Sequence, residues 1–240
     1  MSDSAKKILM VVSNPAVSGQ TGWPIGFWWG ELTHPYWEFV QAGYDITIAS
    51  PEGGALAADA YSDPEDASGF SASDFVSLGF KHSSQHKGLI EDTAKLSDLN
   101  LDDFDAIFFV GGQGPMYTFR GNPDVEDAVR SMYEAGKPTA LMCHATSTLL
   151  EAKDSSGRLI VDGKRWTGFS AQEEEYVDSA VGQRIQPFLI EELARAIPGT
   201  TFVVGPMFAP HVVRDGNLIT GQQQNSGVAA ARVVIEALEG

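Results

Sequence analysis

Short apolar runs rich in β-branched and aromatic residues constrain the fold of this chain more than any other feature. Residues 7–13 (KILMVVS) and 106–110 (AIFFV) have almost no polar residue inside them, which is typical of strands buried on both faces. Residues 44–50 and 138–142 predict two further strands. Because a strand buried on both faces needs a covering layer on each side, these runs favour a sheet between two layers of helices.

Helical spacing follows the first of these runs. Leu32, Tyr36 and Phe39 share one face of a helix predicted over residues 31–42, and Gly43 provides its C-terminal stop. Further helices are predicted at 122–133, 144–151, 172–178, 188–196 and 227–238, further strands at 201–204 and 218–220, and a hairpin-like stretch around Asp162 and Gly163. Strands that alternate with helices of crossover length predict an α/β fold. We expect a flavodoxin-like three-layer sandwich, with a mainly parallel sheet and helices on both faces.

Chain length and one irregular segment set the expected domain organisation. At 240 residues, the chain is expected to form a single domain spanning 1–240. Residues 52–100 are rich in Gly, Ser, Ala and Asp and have little sustained periodicity, which is typical of an excursion from the sheet. Because a loop of that length is unusual without a role, we expect local structure there, such as a lid.

Charge and cysteine content exclude several classes of function. With 16 basic and 32 acidic residues, the formal net charge of −16 repels polyanions, so nucleic acid is not an expected partner. No apolar run approaches the ~20 residues of a membrane helix, and residues 1–7 lack the apolar stretch of a secretory signal. A lone cysteine excludes an intramolecular disulfide and suits a reducing compartment. We therefore expect a cytoplasmic protein without a membrane partner.

That lone cysteine, Cys143, lies where the fourth predicted strand gives way directly to a helix. The position is typical of a nucleophile elbow, which exposes a reactive side chain above the carboxyl ends of parallel strands. The free N–H groups and positive dipole of a helix N-terminus favour a thiolate, so we expect a lowered pKa for Cys143. The alternative is a small buried hydrophobic residue, the commoner role of a lone cysteine.

Other candidate residues fall at the same edge of the sheet. The loop Gly111-Gly112-Gln113-Gly114 offers N–H groups to an oxyanion, although glycine clusters also serve as tight turns. Glu31 is either an acid stabilised by the helix dipole or, if it faces Cys143, a carboxyl group with a raised pKa. His144 needs an acceptor for one ring nitrogen. The run Glu173-Glu174-Glu175 is either its source or a solvated helix face.

The remaining histidines are not expected to bind a metal, and the aromatic residues are expected mainly to pack. His34, His82, His86 and His211 have no metal-ligand spacing, and one cysteine cannot form a thiolate zinc cluster, so no metal is expected. Aromatic residues such as Trp28 crowd residues 23–37. They are expected in the core, in an interface or, for some of them, in the wall of a small-molecule pocket.

Motifs spread over nearly the whole chain resemble one protein family. They include Glu31-Leu32-Thr33-His34-Pro35, Gly111-Gly112-Gln113-Gly114-Pro115, Cys143-His144, Thr167-Gly168-Phe169-Ser170 and Asp215-Gly216-Asn217-Leu218-Ile219-Thr220-Gly221-Gln222. Together they resemble the DJ-1/PfpI superfamily of class I glutamine-amidotransferase-like proteins. The resemblance is closest to the heat-shock-protein-31-like branch, whose members are glutathione-independent glyoxalase III enzymes and holding chaperones.

The resemblance implies a role for each candidate residue. Cys143 would be the nucleophile, Glu31 its protonated partner, and His144 the second member of a triad. Glu174 would orient the histidine, with Glu173 and Glu175 as neighbouring alternatives. The residues implied for the oxyanion and substrate pocket are Gly111, Gly112, Gln113, Thr146 and Trp28. Two of these depart from the family, which often has histidine in place of Gln113 and glycine-proline after the nucleophile's histidine.

For function, the resemblance implies an enzyme that needs no cofactor and acts on a small aldehyde. It would be a glyoxalase III-like lyase, a hydro-lyase of the D-lactate dehydratase type, converting 2-oxoaldehydes such as methylglyoxal to hydroxy acids. The resemblance also implies a homodimer. Two alternatives remain open. One is a stress-related holdase chaperone or a sensor in which Cys143 is oxidised, and the other is a hydrolase of small amides or peptides.

Overall fold

A seven-stranded sheet forms the centre of the computed structural model, which describes residues 5–240. The strands, in chain order, are β1 (Lys7–Val11), β2 (Ala16–Val17), β3 (Pro24–Ile25), β4 (Asp45–Ser50), β5 (Ala94–Lys95), β6 (Ala106–Phe109), β7 (Thr139–Met142), β8 (Arg165–Trp166), β9 (Thr201–Phe202), β10 (Val212–Asp215) and β11 (Leu218–Gly221). The central sheet has the order β10-β11-β7-β6-β1-β4-β5, and only β10 and β11 pair antiparallel. The predicted α/β, flavodoxin-like sandwich with a mainly parallel sheet is confirmed.

Helices cover this sheet. They are α1 (Trp29–Gln41), α2 (Phe75–His82), α3 (Pro115–Thr118), α4 (Pro123–Glu134), α5 (Ala171–Val181), α6 (Ile190–Arg195) and α7 (Gly227–Glu239), with a 3₁₀ helix at Cys143–Leu150 and shorter ones at Ala60–Ser62, Lys87–Ile90, Leu96–Asp98, Leu101–Asp103 and Gln224–Ser226. Helix α1 packs against α2 and α7, whereas α4 packs against β6 and β7. None of the helices in the described part of the chain has the length and apolar surface needed to span a bilayer.

The inner strands are buried on both faces, as their apolar sequences predict. Every side chain of β6 and β7, and those of Ile8 to Val11 in β1, is 0% exposed. Because successive side chains of a strand point to opposite faces, complete burial requires a covering layer on each side of the sheet. This packing fixes the carboxyl ends of β1, β6 and β7 side by side, which is where the candidate residues emerge.

Two local predictions need correction, and one strand was not predicted. Asp162 and Gly163 form a turn that leads into β8, and β8 pairs parallel with the distant β9 rather than in a hairpin, because the same turn residues serve both arrangements. Edge strand β10 carries too short an apolar pattern to be found from the sequence. The predicted helix after Cys143 is a 3₁₀ helix, in which the Thr146 hydroxyl donates to the Cys143 carbonyl at 2.6 Å.

The irregular segment 52–100 contains the local structure that was expected. It includes α2, capped by Asp74, whose side chain accepts from the Ser77 N–H, and it returns to the sheet at β5. Phe27 and Ala58 form an isolated β-bridge that ties the segment to the chain before α1. This tie places residues of the segment beside the carboxyl ends of the central strands. Its role as a lid and the single-domain organisation stay predictions.

Candidate active site

Cys143 occupies a sharp turn between β7 and the 3₁₀ helix that follows. Its φ angle is +52°, in the left-handed region that residues other than glycine rarely adopt. Such strain persists where the surrounding structure imposes it, and it concentrates at functional sites. The side chain is 3% exposed, yet it lines a cleft and so can be reached from it. This is the geometry of the predicted nucleophile elbow.

Two backbone N–H groups, those of Gly112 and His144, lie near enough to the Cys143 sulfur to favour a negative charge on it. Gly112 has a φ of +111°, and a Cβ there would lie 2.5 Å from the backbone nitrogen of Trp28. A Cβ on Gly111 would lie 2.7 Å from the Cβ of Cys143 and would also collide with the Glu31 carboxyl group. Only glycine therefore allows the loop to approach the sulfur this closely.

Glu31 lies in the first turn of α1 and is fully buried against the thiol of Cys143. Its Oε2 accepts from the Gly111 N–H at 3.1 Å, while its Oε1 has no partner among the described residues. Burial raises the pKa of Glu31 from 4.5 to about 7, against the opposing effects of Cys143, His144 and Gly111. The direction is the one expected for a carboxyl group that faces Cys143, but its cause is burial and not repulsion by the sulfur.

The pKa of the Cys143 thiol shifts in the direction opposite to the expected one. Burial, and next the charge of Glu31, raises the pKa of Cys143 well above its ordinary value of 9.0, although the N–H groups of Gly112 and His144 act in the opposite direction. The prediction of a lowered pKa was wrong because it counted the helix N-terminus and not the loss of water around the sulfur. Because two negative charges repel each other at this short distance, loss of a proton by one of these two buried acids raises the pKa of the other.

His144 connects the thiol to a second carboxylate. Its Nδ1 lies 3.3 Å from the Cys143 sulfur and its Nε2 lies 2.7 Å from Glu174 Oε1, while the ring stacks on Phe169 at 4.4 Å between centroids. Burial lowers the pKa of His144, but the Glu174 carboxylate outweighs it and the net shift is upward. With Nε2–H donated to Glu174, Nδ1 is the ring atom that can take or give a proton beside the sulfur.

The three consecutive glutamates of α5 have different environments. Glu173 forms a capping box with Ser170, and its Oε1 also accepts from the Gln222 side-chain amide at 2.9 Å. Glu175 is exposed. Glu174, which is 3% exposed, is the member of the run that contacts His144. The helical register separates them, because consecutive residues on a helix point in different directions.

Asp59 is a buried carboxyl group that no sequence motif indicates. It is 1% exposed and accepts from the Gly26 N–H at 3.0 Å and from the Gln113 N–H at 2.6 Å. It thereby fixes the loop that contributes Gly112. Burial raises the pKa of Asp59 to about 7, with the Gln113 and Gly26 N–H groups opposing this rise. Asp59 lies in the irregular segment 52–100, where an acid is unremarkable by composition.

The cleft above Cys143 has a volume of about 780 Å³. Of the pocket residues expected from the sequence, Trp28, Gly112 and Gln113 line it. Gly111 instead lies behind the cysteine. Thr146 does not line the cleft, because its hydroxyl turns back to the Cys143 carbonyl and its side chain abuts Gly168. Among residues 5–240, no group of three or more His, Cys, Asp or Glu side chains is arranged to hold a metal ion.

Comparison with known proteins identifies relatives that match most of the length of this chain. The DJ-1/PfpI family profile matches residues 26–237. Glyoxalase 3 of Candida albicans is 26% identical over 213 residues, covering 87% of this chain and 88% of that protein. The glutathione-independent glyoxalase HSP31 of Saccharomyces cerevisiae is 28% identical over 241 residues, covering 98% of each. The crystal structure of Rapid Encystment Protein 24 kDa from Francisella tularensis superposes with a TM-score of 0.86 at 28% identity, covering 97% of this chain and 99% of that one.

The raised pKa of Glu31 predicts a specific dependence of stability on pH. Between its ordinary pKa of 4.5 and its folded pKa of about 7, the folded state binds more protons than the unfolded state, so stability falls as pH rises through this window. At about 1.4 kcal/mol per pKa unit, the loss is about 3 kcal/mol. Because Glu31→Gln cannot ionise, its free energy of unfolding relative to wild type should rise by about that amount between pH 4.5 and pH 8.

Urea denaturation at several pH values measures this difference. The matched control is Glu192→Gln, which also removes a glutamate from the first turn of a helix but at an exposed position of α6. The free energy of unfolding of Glu192→Gln should change with pH as that of wild type does. A Glu31→Gln curve that is also parallel to wild type would contradict the burial of an ionisable carboxyl group at this position.

Proposed function

The chain belongs to the DJ-1/PfpI family, and we propose that it is a glutathione-independent glyoxalase converting 2-oxoaldehydes such as methylglyoxal to 2-hydroxy acids. The observation that carries the proposal is the cluster of Cys143, Glu31 and His144 around one sulfur at the floor of a cleft. The relatives named glyoxalases span almost the whole chain, which supports the same reaction. In this proposal the enzyme is a lyase of the D-lactate dehydratase type.

In the first step, the Cys143 sulfur adds to the aldehyde carbon. Because the thiol holds its proton more tightly than the carboxyl group does, Glu31 acts as the base that accepts the thiol proton while the sulfur–carbon bond forms. The electron pair of the carbonyl moves to oxygen. The N–H groups of Gly112 and His144 stabilise this oxyanion, and Glu31 then returns the proton to it. The product is a hemithioacetal.

In the second step, a proton moves between the two oxygen-bearing carbons. Glu31 takes the proton from the carbon bonded to sulfur, the freed electron pair forms a carbon–carbon double bond, and His144 protonates the neighbouring oxygen. The resulting enediol takes a proton back from Glu31 at the second carbon. The hydroxyl group beside sulfur returns its proton to His144, which leaves a thioester.

Hydrolysis completes the cycle. Water attacks the thioester carbonyl, the carbon–sulfur bond breaks, and sulfur regains a proton as the hydroxy acid leaves. The sum is one 2-oxoaldehyde plus one water giving one 2-hydroxy acid, so no external oxidant, reductant or glutathione is required. Glu174 holds the imidazole by its Nε2 throughout, which keeps Nδ1 directed at the sulfur.

The alternative functions have less support. An oxidation sensor works through an exposed thiolate, whereas Cys143 is buried and its pKa is raised. A hydrolase of amides would use the same nucleophile and oxyanion donors, and lacks an observation of its own. The holdase activity and the homodimer stay predictions from family resemblance.

The first test is product formation from methylglyoxal by the purified protein. We expect lactate in the absence of glutathione, and we expect Cys143→Ala to reduce the rate to the uncatalysed level because no other thiol exists in the chain. A chiral assay for lactate and a thermal melt of the variant complete the measurement. Lactate formation that survives in a folded Cys143→Ala variant would remove Cys143 as the nucleophile.

The second test is the pH profile of kcat/KM for methylglyoxal. Glu31 must be unprotonated to accept the thiol proton, and its pKa is about 7, so the rate should rise from pH 6 to pH 8. At higher pH the rate should fall, because His144 must carry a proton to donate in the second step. Glu31→Gln should lower kcat/KM by about 100-fold or more and abolish this rise. A rise near pH 7 that persists in Glu31→Gln would assign the titration to another group.

The third test separates the glutamates of α5. Glu174→Gln should lower kcat/KM by about 100-fold, as expected for loss of the carboxylate that orients a catalytic histidine, while the Glu31-dependent rise near pH 7 remains. Glu175→Gln, one position further along α5 and exposed, should retain wild-type kcat/KM. Equal activities of the two variants would contradict the role of Glu174.

A further inference from the structure

The cleft is much larger than the smallest 2-oxoaldehydes require. Pockets of about 300–1,000 Å³ accommodate drug-sized ligands, and the cleft above Cys143 has a volume of about 780 Å³. A three-carbon substrate bonded to the sulfur would leave most of this space filled by water. The volume therefore raises the question of which chemical group occupies the part of the cleft beyond the reacting carbons.

The outer part of the cleft carries a cluster of exposed apolar side chains. Nine large hydrophobic residues are exposed in the described part of the chain, and five of them line this cleft. They are Tyr61, Phe70, Phe75, Val76 and Tyr176. Exposed apolar groups that gather in one place mark a binding surface, whereas scattered ones need no explanation.

This apolar surface is continuous with the reacting end of the cleft through Trp28. The Trp28 ring contacts Phe70 edge-on, with 6.1 Å between ring centroids. Its backbone nitrogen lies beside Gly112, one of the two residues whose N–H groups reach the sulfur. A ligand bonded to Cys143 could therefore extend along Trp28 to Phe70 without leaving the cleft.

The charges around the cleft restrict the ligand further. No lysine or arginine lines it among residues 5–240, whereas Glu31, Asp74 and Glu174 do. The imidazole of His34, also in the wall, is paired with Asp74 at 2.9 Å. An acidic group on the ligand would meet carboxylates without a free cation to bind it.

We infer that Trp28, Tyr61, Phe70, Phe75 and Val76 form an apolar subsite for an uncharged carbon substituent, such as a phenyl ring, carried by the 2-oxoaldehyde. The inference rests on the proposed function for the reacting end of the substrate. Segment 52–100, which contributes four of these residues, is then the part of the chain that selects the substrate. Burial of the additional carbon atoms supplies the preference over methylglyoxal.

The kinetic test compares kcat/KM for phenylglyoxal with kcat/KM for methylglyoxal. Because the two aldehydes differ in intrinsic reactivity, the informative quantity is how their ratio changes on substitution. Phe70→Ser and Phe75→Ser should each lower the ratio by about 5-fold or more. These residues are 63% and 74% exposed, so the substitutions remove little packing from the folded protein. A ratio that stays at the wild-type value in both variants would overturn the subsite.

Val17→Ser is the matched control for these variants. Val17 is 67% exposed and lies on β2, outside the cleft, so its substitution removes a comparably exposed apolar side chain elsewhere. It should leave the ratio unchanged. If Val17→Ser lowered the ratio as much as the phenylalanine variants do, the subsite would also be overturned.

A binding measurement keeps this inference separate from the proposed reaction. Acetophenone has the phenyl ring and lacks the aldehyde, and ligand-observed NMR should detect its binding to wild type and weaker binding to Phe70→Ser. Acetophenone binding without turnover of either aldehyde would support the subsite and overturn the proposed function. Turnover of both aldehydes, with no acetophenone binding and an unchanged ratio, would overturn the subsite and leave the function standing.

Discussion

The contact between two buried acids, Glu31 and Cys143, determines how the rest of the site is built. Burial removes the water that would stabilise a charge on either group, so ionisation of each costs free energy. Ionisation of both at once costs more, because the two negative charges repel each other. Several polar neighbours moderate this cost, whereas the charge of Asp59 adds to it at Glu31. The Gly111 N–H binds the carboxyl group, the Gly112 N–H reaches the sulfur, and His144 brings a positive potential held in place by Glu174. A site of this kind lowers stability in exchange for reactivity.

The sequence was sufficient for the features that depend on local pattern. Apolar strands, helix spacing and the strand-to-helix turn at Cys143 follow from residues close together in the chain, and the parallel sheet then brings Glu31 and Gly112 to the same edge. Family resemblance favoured Glu174 among three glutamates, and its contact with His144 depends on how α5 is rotated against the sheet. The sequence alone left the three as alternatives.

Two features that the sequence did not predict depend on contacts between distant parts of the chain. The direction of the Cys143 pKa shift depends on how much water the surrounding core excludes, and a helix N-terminus alone indicated the opposite sign. Asp59 acquires its place only when segment 52–100 folds back over the loop at Gln113. Thr146 is a separate case, because it is polar and lies three residues after Cys143, yet its hydroxyl donates to the Cys143 carbonyl and not into the cleft.

Asp59 links the irregular segment to the reacting centre. It joins Gly26, at the entrance to α1, and Gln113, in the loop after β6, so one carboxyl group holds together the two pieces of chain that carry Glu31 and Gly112. The same segment supplies Tyr61, Phe70 and the first residues of α2 to the cleft wall. A single excursion from the sheet thus both holds the loop at Gly112 in place and forms the outer wall of the cleft. Changes in this segment would therefore alter the cleft wall and the loop geometry together, while the core strands beneath Cys143 stay unchanged.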